Sequence, residues 1–432
     1  MSKENNRIHL RPCRSRFSTL AFTCVLCLVV LGLWTPSVAQ QITDIHDFGF
    51  DSGDGDGPGA PMIAGPNGVL YGTTQFGGDL TCAGGFDFGC GIIFQLAPSG
   101  SQWNFSTLYE FTGEQDGLNG ATTLAIDGAG NLYGPTNRST TPYDAIFELT
   151  PGAPGQPWNF SLIYSFRNQD DGAHAISPLF IDATGAIYGA TLEGGTKGRG
   201  CFQSGGCGAI FQLVPPAQPG GAWTEHTLYQ FQGARNGGNP GTLFMDSTGT
   251  IYGTTNTGGT FACSSGCGVA FQLKFENGAW TYTVIHRFNP KTGELPYGNL
   301  VGDAQGALYG LAFASQEFAG NIFRLSPPTK SKSWKFTSIY SYTNAYPPTN
   351  LTIGTNGVLY GDIYGDQDGY PGYVFQLAPS GRPGKWKYET LYDFSTYMFG
   401  ANPDGVLAYG GNLYVSMTDG GYSPGNIDLI VP

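Results

Sequence analysis

A tyrosine preceded by an aliphatic residue returns seven times along the chain, at Tyr71, Tyr133, Tyr188, Tyr252, Tyr309, Tyr360 and Tyr414, and all but the last are followed by glycine. The mean interval is about 57 residues, close to the ~40 to 50 residues of a propeller blade. A second motif follows each tyrosine: IFQL at Phe94, IFEL at Phe147, IFQL at Phe211, AFQL at Phe271, IFRL at Phe323, VFQL at Phe375, and a degenerate NIDLIV around Leu429. A third begins at Trp103, Trp158, Trp223, Trp280, Trp334 and Trp386. Six residues on stands Tyr109, Tyr164, Tyr229, His286, Tyr340 or Tyr392, and eight on stands Phe111, Phe166, Phe231, Phe288, Tyr342 or Phe394. Even spacing places these rings on one face of a strand, where a fixed register makes packing between blades a better reading than a ligand stripe.

Short segments such as TLAID (123 to 127), LFID (179 to 182) and LFMD (243 to 246) precede the tyrosines, separated from them by a glycine turn. Each unit therefore reads as four strands, a to d, too short to bury a face alone. Stacked radially, with small residues of strand a nearest the axis and the Trp strand outermost, they can. The last unit stops at residue 432 without its Trp strand, whereas ITDIHDF (42 to 48) is an orphan d strand, with His46 and Phe48 in the aromatic register and Gln40 where Trp would be. Joining the two gives the expected fold: an all-β, seven-bladed propeller of four-stranded antiparallel blades, closed by residues 42 to 48. Closure removes the exposed sheet edges.

Lys3, Arg7, Arg11, Arg14 and Arg16 precede an uncharged run at 17 to 34, and Ser37-Val38-Ala39 follows. That is the layout of a secretory signal, 1–39, ahead of a single propeller domain, 40–432. An uncleaved anchor is the alternative, and the one way in which a membrane would be engaged. Cys13, Cys24 and Cys27 lack the setting of a lipoprotein signal. Without 1–39 the chain keeps 15 basic and 31 acidic residues. So acidic a chain, with only 12% of its residues charged, has no basic footprint for nucleic acid. The 68 Gly and 28 Pro make it turn-rich, yet 40% hydrophobic residues is too much apolar matter for a disordered chain.

The six remaining cysteines fall into local pairs in Gly-rich loops, Cys82/Cys90, Cys201/Cys207 and Cys263/Cys267. In an exported protein they read as three disulfides. A four-thiolate zinc site from Cys201, Cys207, Cys263 and Cys267 is the rival reading, disfavoured by an oxidising compartment.

The unit D-G-x-P, L-x-x-D-x-x-G-N-L-Y-G-T-T-x-x-G-G, then C-G-x-x-F-x-L, then L-Y-x-F, is clearest at Asp246 to Gly259 and Gly266 to Leu273, and in looser form covers residues 42 to 431. It resembles the GloVer-type, or choice-of-anchor, tandem-repeat proteins of bacteria. The resemblance implies an exported protein of propeller-like repeats, and no activity that transfers to particular residues. Some relatives carry a C-terminal anchor; this sequence ends at Pro432 without a hydrophobic tail.

In such blades the b-to-c loops, which hold the cysteines, emerge at the same end as the d-to-a loops. That rim collects Asp54, Asp56, Asp116, Asp170, Asp171, His174, Asp366 and Asp368 with Phe86, Tyr143, Phe202, Phe261, Tyr370 and Tyr422. Function on a scaffold concentrates in loops, and rings with carboxylates suit sugar binding; equally, Asp and Gly are the usual turn formers. Asp51, Asp54 and Asp56 resemble part of a calcium loop but lack its twelfth-position acid. Asp127, Asp182, Asp246 and Asp303 read as Asx caps of the a-to-b hairpins. His46, His174, His226 and His286 have no metal-ligand spacing, and there is no nucleophile elbow or P-loop. No metal and no cofactor is therefore expected. The sequence points to an exported, monomeric, non-enzymatic binding or cell-surface protein that recognises a glycan or a protein partner through its rim. The alternative is a polysaccharide-active hydrolase or lyase using rim carboxylates, whose separation would decide the chemistry.

Overall fold

The computed structural model describes residues 41–49, 53–82, 88–117, 122–136, 144–175, 178–201, 205–218, 220–313, 319–329, 333–342, 348–365, 372–382, 384–394, 402–418 and 425–432. Residues 1–39, expected to be a secretory signal, lie outside them. Among the described residues no helix is long and apolar enough to cross a membrane.

Seven antiparallel sheets form a seven-bladed propeller. In the fourth blade the order from the axis outward is Gly238–Met245, Ile251–Thr257, Val269–Glu276 and Ala279–Arg287, the four strands expected. The third blade's inner strand comes in two pieces, Ala173–Ala175 and Phe180–Ile181, both paired with Ile187–Glu193. The seventh contains Asn402–Tyr409, Asn412–Thr418 and Asn426–Val431 and is completed by Gln41–Asp47, with Ile42 opposite Ile430 and His46 opposite Ile427. Ring closure by the first described strand is thus as the sequence implied.

One expectation needs correction. The Trp, Tyr and Phe of strand d do not share a face. Every blade has a β-bulge between strands c and d: in the first, Phe94 pairs with Thr107 and Ile93 with Tyr109, leaving Leu108 extra. An inserted residue reverses the alternation beyond it. Trp103 consequently faces the preceding blade, meeting Tyr414 edge-on at 5.7 Å, while Tyr109 faces the following one, stacked on Phe160 at 4.3 Å. In the six blades that carry the Trp, one strand thereby holds both neighbours. Trp to Tyr contacts recur at 71/158, 133/223, 188/280, 252/334 and 309/386. Flat stacks recur at His46/Phe105, Tyr229/Tyr282, His286/Phe336 and Tyr340/Tyr388. Such ring pairs contribute about 0.5 to 1.5 kcal/mol each beyond their buried area.

Hydrogen bonds between neighbouring blades tighten the axis. Thr242 Oγ1 donates to Gly298 O and Asn350 Nδ2 to Asp404 O between inner strands, and Ser416 Oγ, on the second strand of the seventh blade, donates to Ala60 O across the closing seam. The axial cavity they frame holds about 420 Å³ and is lined by a segment of every blade. Its lining is not confined to small residues as expected: Phe180, Phe244, Leu351 and Leu407 reach into it, because seven blades leave a hole that larger side chains can fill.

Candidate functional site: the loop-bearing rim

The two ends of the ring differ. At one, the a-to-b hairpins are short and pinned by the predicted aspartates. Asp246 Oδ1 accepts from the backbone N–H of Thr248 and Thr250, and its Oδ2 accepts from Tyr252 O–H at 3.3 Å. Asp127, Asp182 and Asp303 repeat the pattern with Tyr133, Tyr188 and Tyr309. The repeating tyrosine thus owes part of its place to the repeating aspartate, six residues earlier, a link that sequence reading missed.

At the other end stand the long b-to-c loops with the three expected disulfides, Cys82–Cys90, Cys201–Cys207 and Cys263–Cys267. Cys263, Cys267 and Glu294 offer ligand-type atoms within 4.8 Å, the one such grouping among the described residues. Its two sulfurs are joined to each other, so thiolate ligation is not available there.

Of the rim candidates, Asp116 and Asp171 are buried turn residues. Asp116 accepts from Tyr109 O–H, Thr112 N–H and Thr112 O–H, and Asp171 from Tyr164 O–H and the N–H groups of Arg167 and Gln169. Asp54 stands in the equivalent place of the closing blade, 3.5 Å from His46 Nε2, and accepts from Gly49 N–H. The common device is an acid seven or eight residues after the Tyr or His of strand d, which ties the d-to-a turn to that ring. Asp56 bridges through its backbone to Phe76. Asp170 is exposed, and its carbonyl accepts from Thr227 and Gln230. His174, half-exposed and at a left-handed φ of 59°, lies between Asp144 (3.9 Å) and Glu193 (3.8 Å) at the seam of the second and third blades. Burial raises the Asp144 carboxyl above its usual range, against the opposing pull of His174. Phe261 is exposed and lines a cleft with Arg199. Phe86, Tyr143, Phe202, Asp366, Asp368, Tyr370 and Tyr422 lie outside the described residues.

The sequence profile of the Gloeobacter/Verrucomicrobia repeat matches residues 34–204, 139–370 and 202–427. The chain belongs to this repeat family. Like the resemblance that anticipated it, membership carries no reaction. No curated protein sequence matches the chain. Among solved structures, a Bacteroides uniformis protein assigned as a 6-phosphogluconolactonase is similar over 77% of this chain and 83% of its own, at 13% identity and a TM-score of 0.50. The extracellular domain of a B. thetaiotaomicron protein assigned as a one-component system is similar over 90% of this chain and 40% of its own, at 10% identity and a TM-score of 0.53. At such identities the likeness is one of fold.

Proposed function

We propose that this repeat-family propeller is an exported, non-enzymatic binding protein that recognises a glycan or a surface protein through its loop-bearing rim. The observation that carries the reading is the asymmetry of the ring: all three disulfides hold long loops at one end, while the other end is closed by minimal Asp-capped hairpins. Disulfides persist in oxidising compartments, which supports export, and loops held on a rigid ring are where recognition concentrates. Hydrolysis or lyase chemistry would need carboxylates facing a substrate. Asp116 and Asp171 are instead committed to turn hydrogen bonds, at 6% and 1% exposure.

The test is a glycan array probed with the purified chain, alongside a reducing-sugar assay on the same polymers. Binding without release of reducing ends is the expected outcome. Product release that disappears in Asp170→Asn would replace this reading with the hydrolytic one, and failure to bind any glycan or surface extract would leave a purely structural role.

A further inference from the structure

Resting on that reading, we propose that the cleft between the stapled loops of the third and fourth blades is a subsite for a sugar carboxylate, a uronate unit of an acidic glycan. The cleft holds about 460 Å³, and Lys197, Arg199, Phe261, Ser264 and Ser265 line it. Volumes of ~300 to 1,000 Å³ are typical of small-ligand sites. Cys201–Cys207 fixes one wall and Cys263–Cys267 the other.

The guanidinium carbon of Arg199 sits 4.4 Å from the centroid of the Phe261 ring. Ring and cation attract, which holds the planar fork in place before any ligand arrives. The backbone is fixed as well: Arg199 O accepts from Ala234 N–H at 2.6 Å. At Gly200, φ is 83°, and a Cβ would come within 3.1 Å of the Phe261 ring and of Ser265 O, so glycine is what lets the two loops meet this closely.

The charges are the unexpected part. In a chain with 31 acidic residues beyond position 39, the described residues lining this cleft include two cations and no carboxylate. Among the described residues neither Lys197 nor Arg199 forms a salt bridge. A rigid fork binds a carboxylate with two parallel N–H···O bonds, and Lys197 adds a point charge. The Ser264 and Ser265 hydroxyls match sugar hydroxyls, and the exposed part of the Phe261 ring matches an apolar sugar face.

Calorimetry of the full chain with trigalacturonic acid and with its neutral methyl ester tests this. The acid is expected to bind at least about tenfold more tightly than the ester, as the loss of a charge-assisted bond implies. Arg199→Gln should lower affinity for the acid by about the same factor, Arg199→Lys should not restore it, and added salt should weaken it. Both variants alter an exposed side chain, and circular dichroism verifies their fold. Equal binding of acid and ester, binding unaffected by Arg199→Gln, or equal binding of polyglutamate would overturn the uronate subsite. A neutral glycan, or a surface protein, bound at the rim independently of Arg199 would overturn it while leaving the rim reading intact; failure to bind any glycan or surface extract removes both.

Discussion

Asp362 takes a place in its blade where Thr73 and Ser416 stand in two others, and where those hydroxyls donate to the next blade's inner strand. A carboxylate cannot donate. Asp362 is fully buried, Thr349 O–H donates to its Oδ2, and its Oδ1 has no hydrogen-bond partner among the described residues. Burial, with some help from neighbouring Asp404, raises its carboxyl well above the usual range. Burial also pushes Asp404 up to about 7. The linkage sign follows from the unfolded chain, where aspartate titrates near ~3.9. Below that pH both states hold the proton and nothing is lost. As pH rises from about 4 to about 7 the unfolded chain releases it while the fold retains it, so this contribution to stability falls. His286, held down to about 4 by burial, acts in the opposite direction below about 6.5. A difference measurement isolates the acid. Asp404→Asn should be more stable than the parent at pH 7.5, by on the order of 1 to 3 kcal/mol, and nearly equal to it at pH 4. Urea midpoints at the two pH values check this, and parallel pH profiles would refute it.

The recurring glycine of the L-Y-G strand has its reason in the facing strand. Gly253 lies opposite Phe271, and a Cβ there would come within 2.5 Å of the ring's Cζ and 2.8 Å of Leu243 Cδ2. Gly72, Gly134, Gly189, Gly310 and Gly361 meet their own phenylalanines in the same way. The seventh blade carries Val415 at this place, and the residue opposite is Asp428, with no ring. Glycine and ring thus vary together, so NIDLIV is a paired substitution rather than simple decay of the repeat. Gly253→Ala should destabilise by overpacking, about 1 to 3 kcal/mol, whereas Val415→Ala, lacking a ring opposite, should show only the smaller loss of buried methyls. Chemical denaturation of the pair measures the contrast; a neutral Gly253→Ala would refute it. These elements also mark what the sequence could convey. Blade number, strand order, disulfide pairing and Asx caps were legible because each is local and repeats. The bulge was not, since one residue more on strand d leaves the Trp, Tyr and Phe spacings even while turning Tyr109 away from Trp103. Nor was the burial of Asp116 and Asp171, because turn acids and ligand acids look alike until their hydrogen bonds are seen. The Arg199/Phe261 pair was half visible: Phe261 stood out, but its cationic partner lies on another blade's loop.

Closure decides whether seven local solutions become one molecule. The register from Gln41 opposite Val431 to Asp47 opposite Asn426 supplies a full strand ladder between the two ends of the described chain. Rings on that strand continue into the first blade: His46 stacks on Phe105 at 4.0 Å, and Phe48, 3% exposed, meets Phe94 edge-on at 5.4 Å. Removing residues 40–48 would leave Asn426–Val431 as an open edge and strip cover from Phe94 and Phe105, and burial of Phe48 alone is of the kind whose loss costs about 3 to 5 kcal/mol. The truncated chain should therefore unfold at a much lower denaturant midpoint and self-associate as its concentration rises, since an open edge is a template for another strand. A synthetic peptide of residues 41–48 should restore the parent's midpoint by strand addition in trans. The pH dependence of that rescue follows from three groups at the closing pair. Asp44 and Asp428 are partners across it, and burial raises them to about 7 and about 6, with Asp47 adding to both shifts. Groups that titrate higher when paired favour pairing as pH falls, while His46, lowered by burial, opposes them below about 6.5. With two acids against one histidine, the peptide should bind more tightly at pH 5 than at pH 8. A truncated chain that stayed monomeric at the parent's midpoint would mean that the seam between the first and last blades is held by the inner strands alone.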